Sequence, residues 1–174
     1  MRYKMVTVNT ALAFATAAHA AVGQVRKYDG APYIVHPIRV ADIVRTYGGD
    51  DDMISAAYLH DVVEDTQVTI NVIRDIFGDR VADLVDGLTD VSVSYDGNRA
   101  TRKSIDREHT LSSSDDAQFV KLADILDNSN DIRDNDPSFW KVYQKEMLAL
   151  LQDMSSNVQM FSIYTRALDS VRRT

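Results

Sequence analysis

Nowhere in the chain do β-branched or aromatic residues alternate with polar ones for long enough to propose a strand, while residues that start and stop helices recur at helix-length intervals. Gly30 and Pro32 lie just past a first helix expected from about Asn9 to Arg26, with Asn9 or Thr10 as its cap. His36-Pro37 opens a second, since a first turn tolerates proline, and Gly48-Gly49 closes it. Asp50 to Asp52 give a third helix an acidic start, Thr69 caps a fourth that ends at Gly78, and Asp79 begins a fifth that runs to about Thr89. A loop around Asp96-Gly97 covers Val91 to Asn98. Helices are then expected from Arg99 to Thr110, Ser114 to about Asp131, Pro137 to Met154, and onward to the C-terminus. The fold class this punctuation requires is all-α.

Such a chain needs apolar material for its helices to bury. With 174 residues and 45% hydrophobic content it has enough for one domain, expected to span residues 1–174. A formal net charge of −7 argues against a partner as large and anionic as nucleic acid, although a local basic pocket can still take a small anion. Without cysteines there is no disulfide frame and no thiolate metal site. From Met5 to Val25 there is no Lys, Arg, Asp or Glu, and Arg2 and Lys4 precede the stretch, which imitates a secretory leader. Thr7, Asn9, Thr10, Thr16 and His19 make it too polar for that, and far too polar to span a membrane. An Ala-rich buried helix and a cytoplasmic location are expected instead.

The stretch LHDVVEDT, Leu59 to Thr66, places one histidine and three carboxylates among apolar neighbours. On a helical wheel of about 100° per residue, with His60 at zero, Glu64 falls near about 40°, Asp61 near about 100° and Asp65 near about 140°. Leu59, Val62 and Val63 occupy the other side. One face therefore packs and the other turns an imidazole and three carboxylates toward a common space. Like charges held close in a poorly solvated cleft repel, and a divalent cation relieves them. His36 in YIVHP and Asp124 in VKLADILDN stand on separate helices with similar apolar flanks. Two imidazoles with two carboxylates suit a six-coordinate manganese, iron or magnesium type of ion, whereas structural zinc more often uses sulfur.

The ordered set His36, His60-Asp61 and Asp124 resembles the HD metal-dependent phosphohydrolases. More narrowly, the blocks HAAVGQVRKYDGAPYIVHPIRVADIV, AAYLHDVVEDT, FGDRVADLVDGLTDV and VKLADILDN, from about Ala18 to Asn128, resemble the hydrolase domain of RelA/SpoT-type alarmone enzymes. The resemblance implies an HD-domain helical bundle and a small stand-alone alarmone hydrolase, without synthetase or regulatory domains. It implies His36, His60, Asp61 and Asp124 as metal ligands, usually for Mn2+, with Fe2+ or Mg2+ as alternatives. It implies Glu64 and Asp65 as the catalytic acidic pair that orients or deprotonates the attacking water. Arg26, Lys27 and Asn128 match positions that contact the nucleotide, and Lys121 shares the face of Asn128. An insertion at Tyr28-Asp29 bears on how Arg26 and Lys27 are aimed. Where the family reads KLADRLHN, this chain has Ile125 and Asp127, neither at a ligand position.

The implied reaction is manganese-dependent removal of the 3′-pyrophosphate from guanosine-3′,5′-bis(diphosphate) or its pentaphosphate analogue, by attack of metal-activated water. Basic groups then hold the leaving pyrophosphate, with Arg102 and Lys103 as further candidates beside those named. The expected partner is a small nucleotide, with no nucleic acid and no membrane; nothing in the residues sets an oligomeric state. Two other readings stand beside it. One keeps the metal and changes the nucleotide, to an adenine alarmone or a phosphorylated nicotinamide dinucleotide, and the other makes the chain a nucleotide sensor without turnover. His19 and His109 are expected to pack or meet solvent, and Tyr33 either lines the pocket or is a buried turn residue.

Overall fold

The computed structural model describes residues 8–173, which leaves Arg2, Lys4, Met5 and Thr7 of the leader-like segment outside. Among the described residues there is no strand, only an isolated bridge between Val25 and Pro32, and the expected all-α class is what the chain adopts. No helix among them is long and apolar enough to cross a membrane. The chain falls into two compact units, Met1–Asp86 and Gly87–Thr174.

The first unit is built on α1 (Val8–Ala21), α2 (Val35–Thr46) and α3 (Asp51–Leu59), with α3 packed against both of the others. The whole of α3 from Met53 to Leu59 is buried, and its small Ala56 and Ala57 let neighbours approach closely. Asp50 caps this helix by accepting from the Asp52 and Met53 amides. Short helices α4 (Val62–Asp65) and α5 (Ile70–Phe77) follow, and α6 (Asp79–Leu88) runs through the unit boundary. Thr69 stands at the start of α5 as expected, but its side chain makes no capping bond.

Two expectations for α1 need correction. The helix is not buried all round: Ala11, Ala15 and His19 form a single buried stripe at four-residue spacing, while Ala17, Ala20 and Ala21 are exposed. Asn9 and Thr10 lie within the helix rather than capping it, since Val8, the first described residue, is already helical, and the helix ends at Ala21 rather than near Arg26. The stop is Gly23, at φ 66°, where the Gly23 amide donates to the Ala20 carbonyl and the Gln24 amide to the His19 carbonyl. This paired closure satisfies the orphan carbonyls and needs the left-handed backbone that glycine adopts without penalty.

The second unit centres on α8 (Asp115–Asn135), which packs against α9 (Pro137–Asp153) and α11 (Ser162–Arg172). It extends four residues past the expected Asp131. Its buried residues run through Ala117–Val120 and Leu122–Asp127, so it is enclosed on nearly every side. The remaining pieces are α7 (Arg99–Ser112), the four-residue α10 (Ser156–Gln159) and a 3₁₀ turn at Ser94–Asp96 inside the expected loop. Asp106 on α7 holds the preceding loop, accepting from the Val91 and Ser92 amides and the Ser92 hydroxyl.

Candidate metal centre

In the first unit the helix expected through LHDVVEDT is broken at His60-Asp61, between α3 and α4. The cause is local. The His60 ring Nδ1 lies 2.8 Å from the carbonyl oxygen of Ala57, the residue three back. A carbonyl only accepts, so Nδ1 carries the proton and Nε2 is the nitrogen that presents a lone pair. Histidines that bind metals are commonly oriented in this way by a bond from their other nitrogen.

The His60 Nε2 lies 3.1 Å from Asp61 Oδ2, and the His36 Nε2 lies 3.7 Å from the same oxygen. The two rings meet edge to face with centroids 5.2 Å apart, and both histidines are buried. A lone pair on His60 Nε2 facing an ionised oxygen at this range is repulsive; a second ring proton or a shared cation removes the conflict. Two imidazole nitrogens converging on one carboxylate oxygen form a donor set of the kind a divalent ion takes. Tyr33 donates its hydroxyl to Asp61 Oδ2 at 2.5 Å, which makes the half-buried tyrosine part of this cluster.

The other expected residues of this unit divide. The Arg26 guanidinium lies over the Tyr33 ring at 5.7 Å, within reach of the same cluster. Lys27 turns instead onto Tyr28, with its ammonium 4.8 Å from the ring centre and 3.3 Å from the hydroxyl. Both sit on a loop closed by the Val25–Pro32 bridge, where Asp29, at the place of the expected one-residue insertion, accepts from the Ala31 amide. Glu64 and Asp65, on α4, both reach solvent. Surrounding protein nevertheless pushes the Asp65 carboxyl up, Gln24 opposes by donating to it, and the Asp61 charge adds to the rise.

In the second unit Asp124 is buried on α8. Lys121 donates to its Oδ2 at 2.9 Å and Asn128 to its Oδ1 at 2.6 Å, one residue a turn before it and one a turn after. Both were expected at the nucleotide, and here each holds one oxygen of the carboxylate. Ile125, which replaces a family arginine, is fully buried, so this departure is absorbed by the core. Lys103 is ion-paired with Asp90 and with Asp106, and Arg102 reaches the Gly97 carbonyl at 3.4 Å. Lys103 also lines a cavity of about 600 Å³ between α7 and α9, together with Arg99, Arg107, Lys141 and Lys145. Arg99 and Arg107 are themselves paired with Glu146 and Asp153, so most of that positive charge is locally answered.

Sequence reading missed Gln24, whereas His19 packs, one of the two outcomes expected for it. His19 is buried, its Nδ1 lies 2.7 Å from Gln24 Oε1, and Gln24 Nε2 donates to Asp65 Oδ2 at 2.8 Å. The available signal was a polar Gln24 directly after Gly23, in a block otherwise read for Arg26 and Lys27.

Residues 11–156 match the HD domain family. The chain is 42% identical over 122 residues to a probable guanosine-3′,5′-bis(diphosphate) 3′-pyrophosphohydrolase of Synechocystis, an alignment covering 68% of this chain and 16% of that protein. It therefore spans about a sixth of that relative's length. It is 32% identical over 139 residues to the guanosine-3′,5′-bis(diphosphate) 3′-pyrophosphohydrolase MESH1 of Drosophila melanogaster, covering 74% of this chain and 76% of that one. Among solved structures it is similar to a metazoan ortholog of SpoT that hydrolyzes ppGpp, with a TM-score of 0.80, 28% identity, and coverage of 98% of this chain and 96% of the other.

Proposed function

The chain belongs to the HD domain family, and from that premise we propose that it is a metal-dependent hydrolase that removes the 3′-pyrophosphate from guanosine-3′,5′-bis(diphosphate) and its pentaphosphate analogue. Residues 1–174 act as one HD-type domain in this reading, and the family match across 11–156 supports it. The substrate comes from the relatives in Synechocystis and Drosophila melanogaster, both named for this activity.

His36, His60, Asp61 and Asp124 would hold the ion, with Mn2+ the metal the resemblance implies. The observation that carries this is the set of buried donors. The buried His36 and His60 turn their Nε2 atoms to one Asp61 oxygen, at 3.7 and 3.1 Å, and Asp124 is a further buried carboxylate. When bound, a divalent ion supplies Lewis acidity toward phosphoryl oxygens and a nucleophilic water at neutral pH.

The chain's own groups do the rest. Glu64 and Asp65 orient the attacking water and take its proton. Arg26, above Tyr33, faces the nucleotide's phosphates, and Lys27 joins it by swinging off the Tyr28 ring. Lys121 and Asn128 serve the substrate from the positions where they grip Asp124, so they fix the ligand carboxylate and border the nucleotide together. The cytoplasm is where such a substrate is met.

Incubation with labelled guanosine tetraphosphate, with and without manganese, followed by chromatography, tests the reading. Manganese-dependent release of pyrophosphate and guanosine 5′-diphosphate is expected. Release of orthophosphate, preference for an adenine or nicotinamide nucleotide, or tight binding without turnover would each overturn it.

A further inference from the structure

Deepening that proposed function, and resting on it for the catalytic part, we propose that Gln24 and His19 are positioning residues that hold the Asp65 carboxylate in place. This row of side chains starts at the end of α1. Its closure at Gly23 turns the chain so that Gln24 sits directly over His19, the residue whose carbonyl its amide bonds. The side chains repeat that contact, with His19 Nδ1 2.7 Å from Gln24 Oε1. Gln24 Nε2 then reaches 41 residues along the chain to Asp65 Oδ2 at 2.8 Å.

The direction of every bond in this row is fixed by chemistry. An ionised carboxylate only accepts, so the amide nitrogen of Gln24 must face Asp65 and its oxygen must face His19. That oxygen only accepts as well, so the His19 proton is on Nδ1. The His19 Nε2 is buried and has no hydrogen-bond partner, which suits a nitrogen carrying only a lone pair better than one carrying an orphaned proton. A glutamine amide passes no proton under ordinary conditions. The row therefore cannot relay one from Asp65 to His19, and what it can do is aim the carboxylate.

His19 also braces the metal cluster. Its ring packs against Tyr33, with centroids 4.8 Å apart, and the Tyr33 hydroxyl donates to Asp61. One buried imidazole thus supports a catalytic acid through Gln24 and a metal-ligating acid through Tyr33. The carboxylate of Asp65 is on a four-residue helix and open to solvent, so without Gln24 little else restrains it. Displacements of about 1 Å at a reacting group can cost up to about 100-fold in rate.

The test compares Gln24→Met, His19→Ala and His19→Asn in the full chain. Gln24→Met should lower kcat by about 10- to 100-fold while KM and manganese content stay within about twofold. His19→Ala should follow it, and His19→Asn, whose amide can stand where the Nδ1 proton was, should recover much of the loss. A wild-type kcat in Gln24→Met, or no difference between His19→Asn and His19→Ala, overturns the inference. A separate readout needs no turnover: nitrogen NMR of the His19 ring in the unaltered protein should show the Nδ1-protonated tautomer, shifted by Gln24→Met. An Nε2-protonated ring overturns the positioning row. An Nδ1-protonated ring in a protein that cleaves no guanosine tetraphosphate upholds the row and sinks the proposed activity instead.

Discussion

His60 gives its Nδ1 proton to the carbonyl oxygen of Ala57, three residues back, and so turns Nε2 toward Asp61. The bond breaks the helix and aims the ligand nitrogen in one act. Replacing His60 by alanine removes the donor and leaves the Asp61 oxygen with His36 and the Tyr33 hydroxyl but without its nearer imidazole. Asp124→Ala removes a further proposed ligand, a carboxylate buried on α8. In both variants metal content and turnover should fall together. The loss in metal affinity should exceed the roughly 10- to 100-fold typical of a partner that only orients a ligand. Metal analysis after gel filtration, paired with the alarmone assay, checks this; full occupancy in either variant contradicts the assigned ligands.

Glu64 behaves differently. It is exposed on α4 and is not needed to hold the ion in the proposed arrangement. Glu64→Gln keeps its size and removes the basic oxygen. Metal content should match the unaltered protein while kcat drops by about 100- to 10,000-fold, the range expected when a positioned base is lost. Loss of metal along with activity would move Glu64 into the ligand set.

Much of this site can be read from residues alone, because charged groups set among apolar ones announce themselves. His36, His60-Asp61 and Asp124 stand out against Ile34, Val35, Leu59 and Leu122 for that reason. The break between α3 and α4 does not, since its cause is a ring nitrogen capturing a backbone carbonyl, which a wheel of ideal residues cannot contain. The overlong first helix has a related source: a run of alanines favours helix up to Gly23, and the stop comes from a backbone angle rather than from a breaking side chain. Gln24 was silent because its bonds to His19 and Asp65 exist only after the chain turns back on itself. Lys121 and Asn128 were placed on the correct face, yet which carboxylate they hold depends on side-chain reach.

Asp106 supplies a test of stability against pH. Burial pushes its carboxyl up, but the Ser92 amide and hydroxyl and the Lys103 ammonium outweigh that and hold it below the usual carboxylate range. A carboxyl depressed in the folded state contributes stability that is complete above its unfolded value of about 3.9 and is lost as pH falls through the lower folded value. Asp106→Asn should therefore cost about 2 kcal/mol near neutrality, from weakened bonds to the Val91–Ser92 segment. The variant should also lose stability less steeply below about pH 4. Thermal unfolding from pH 7 to pH 3 measures both. Parallel curves for the two proteins at low pH would show that Asp106 does not carry the charge linkage.

Two of the helix ends closed by glycine separate folding from aiming. Gly23 and Gly48 both adopt left-handed backbone, at φ 66° and 89°, and neither has an atom within 4 Å of where a Cβ would stand. Gly48 closes α2 as Gly23 closes α1, with the Gly49 amide on the Val44 carbonyl and the Gly48 amide on that of Arg45. Alanine at either position meets no steric clash and costs only backbone strain, about 1–2 kcal/mol. Their consequences for turnover should differ. The residue after Gly23 is Gln24, whose side chain spans His19 and Asp65, whereas the residue after Gly48 is Gly49, which has no side chain to aim. Gly23→Ala should lower kcat as well as the melting temperature, and Gly48→Ala should lower the melting temperature by a similar amount with kcat intact. Equal kcat values in the two variants at a temperature where both are folded would mean that the turn after α1 serves the fold alone.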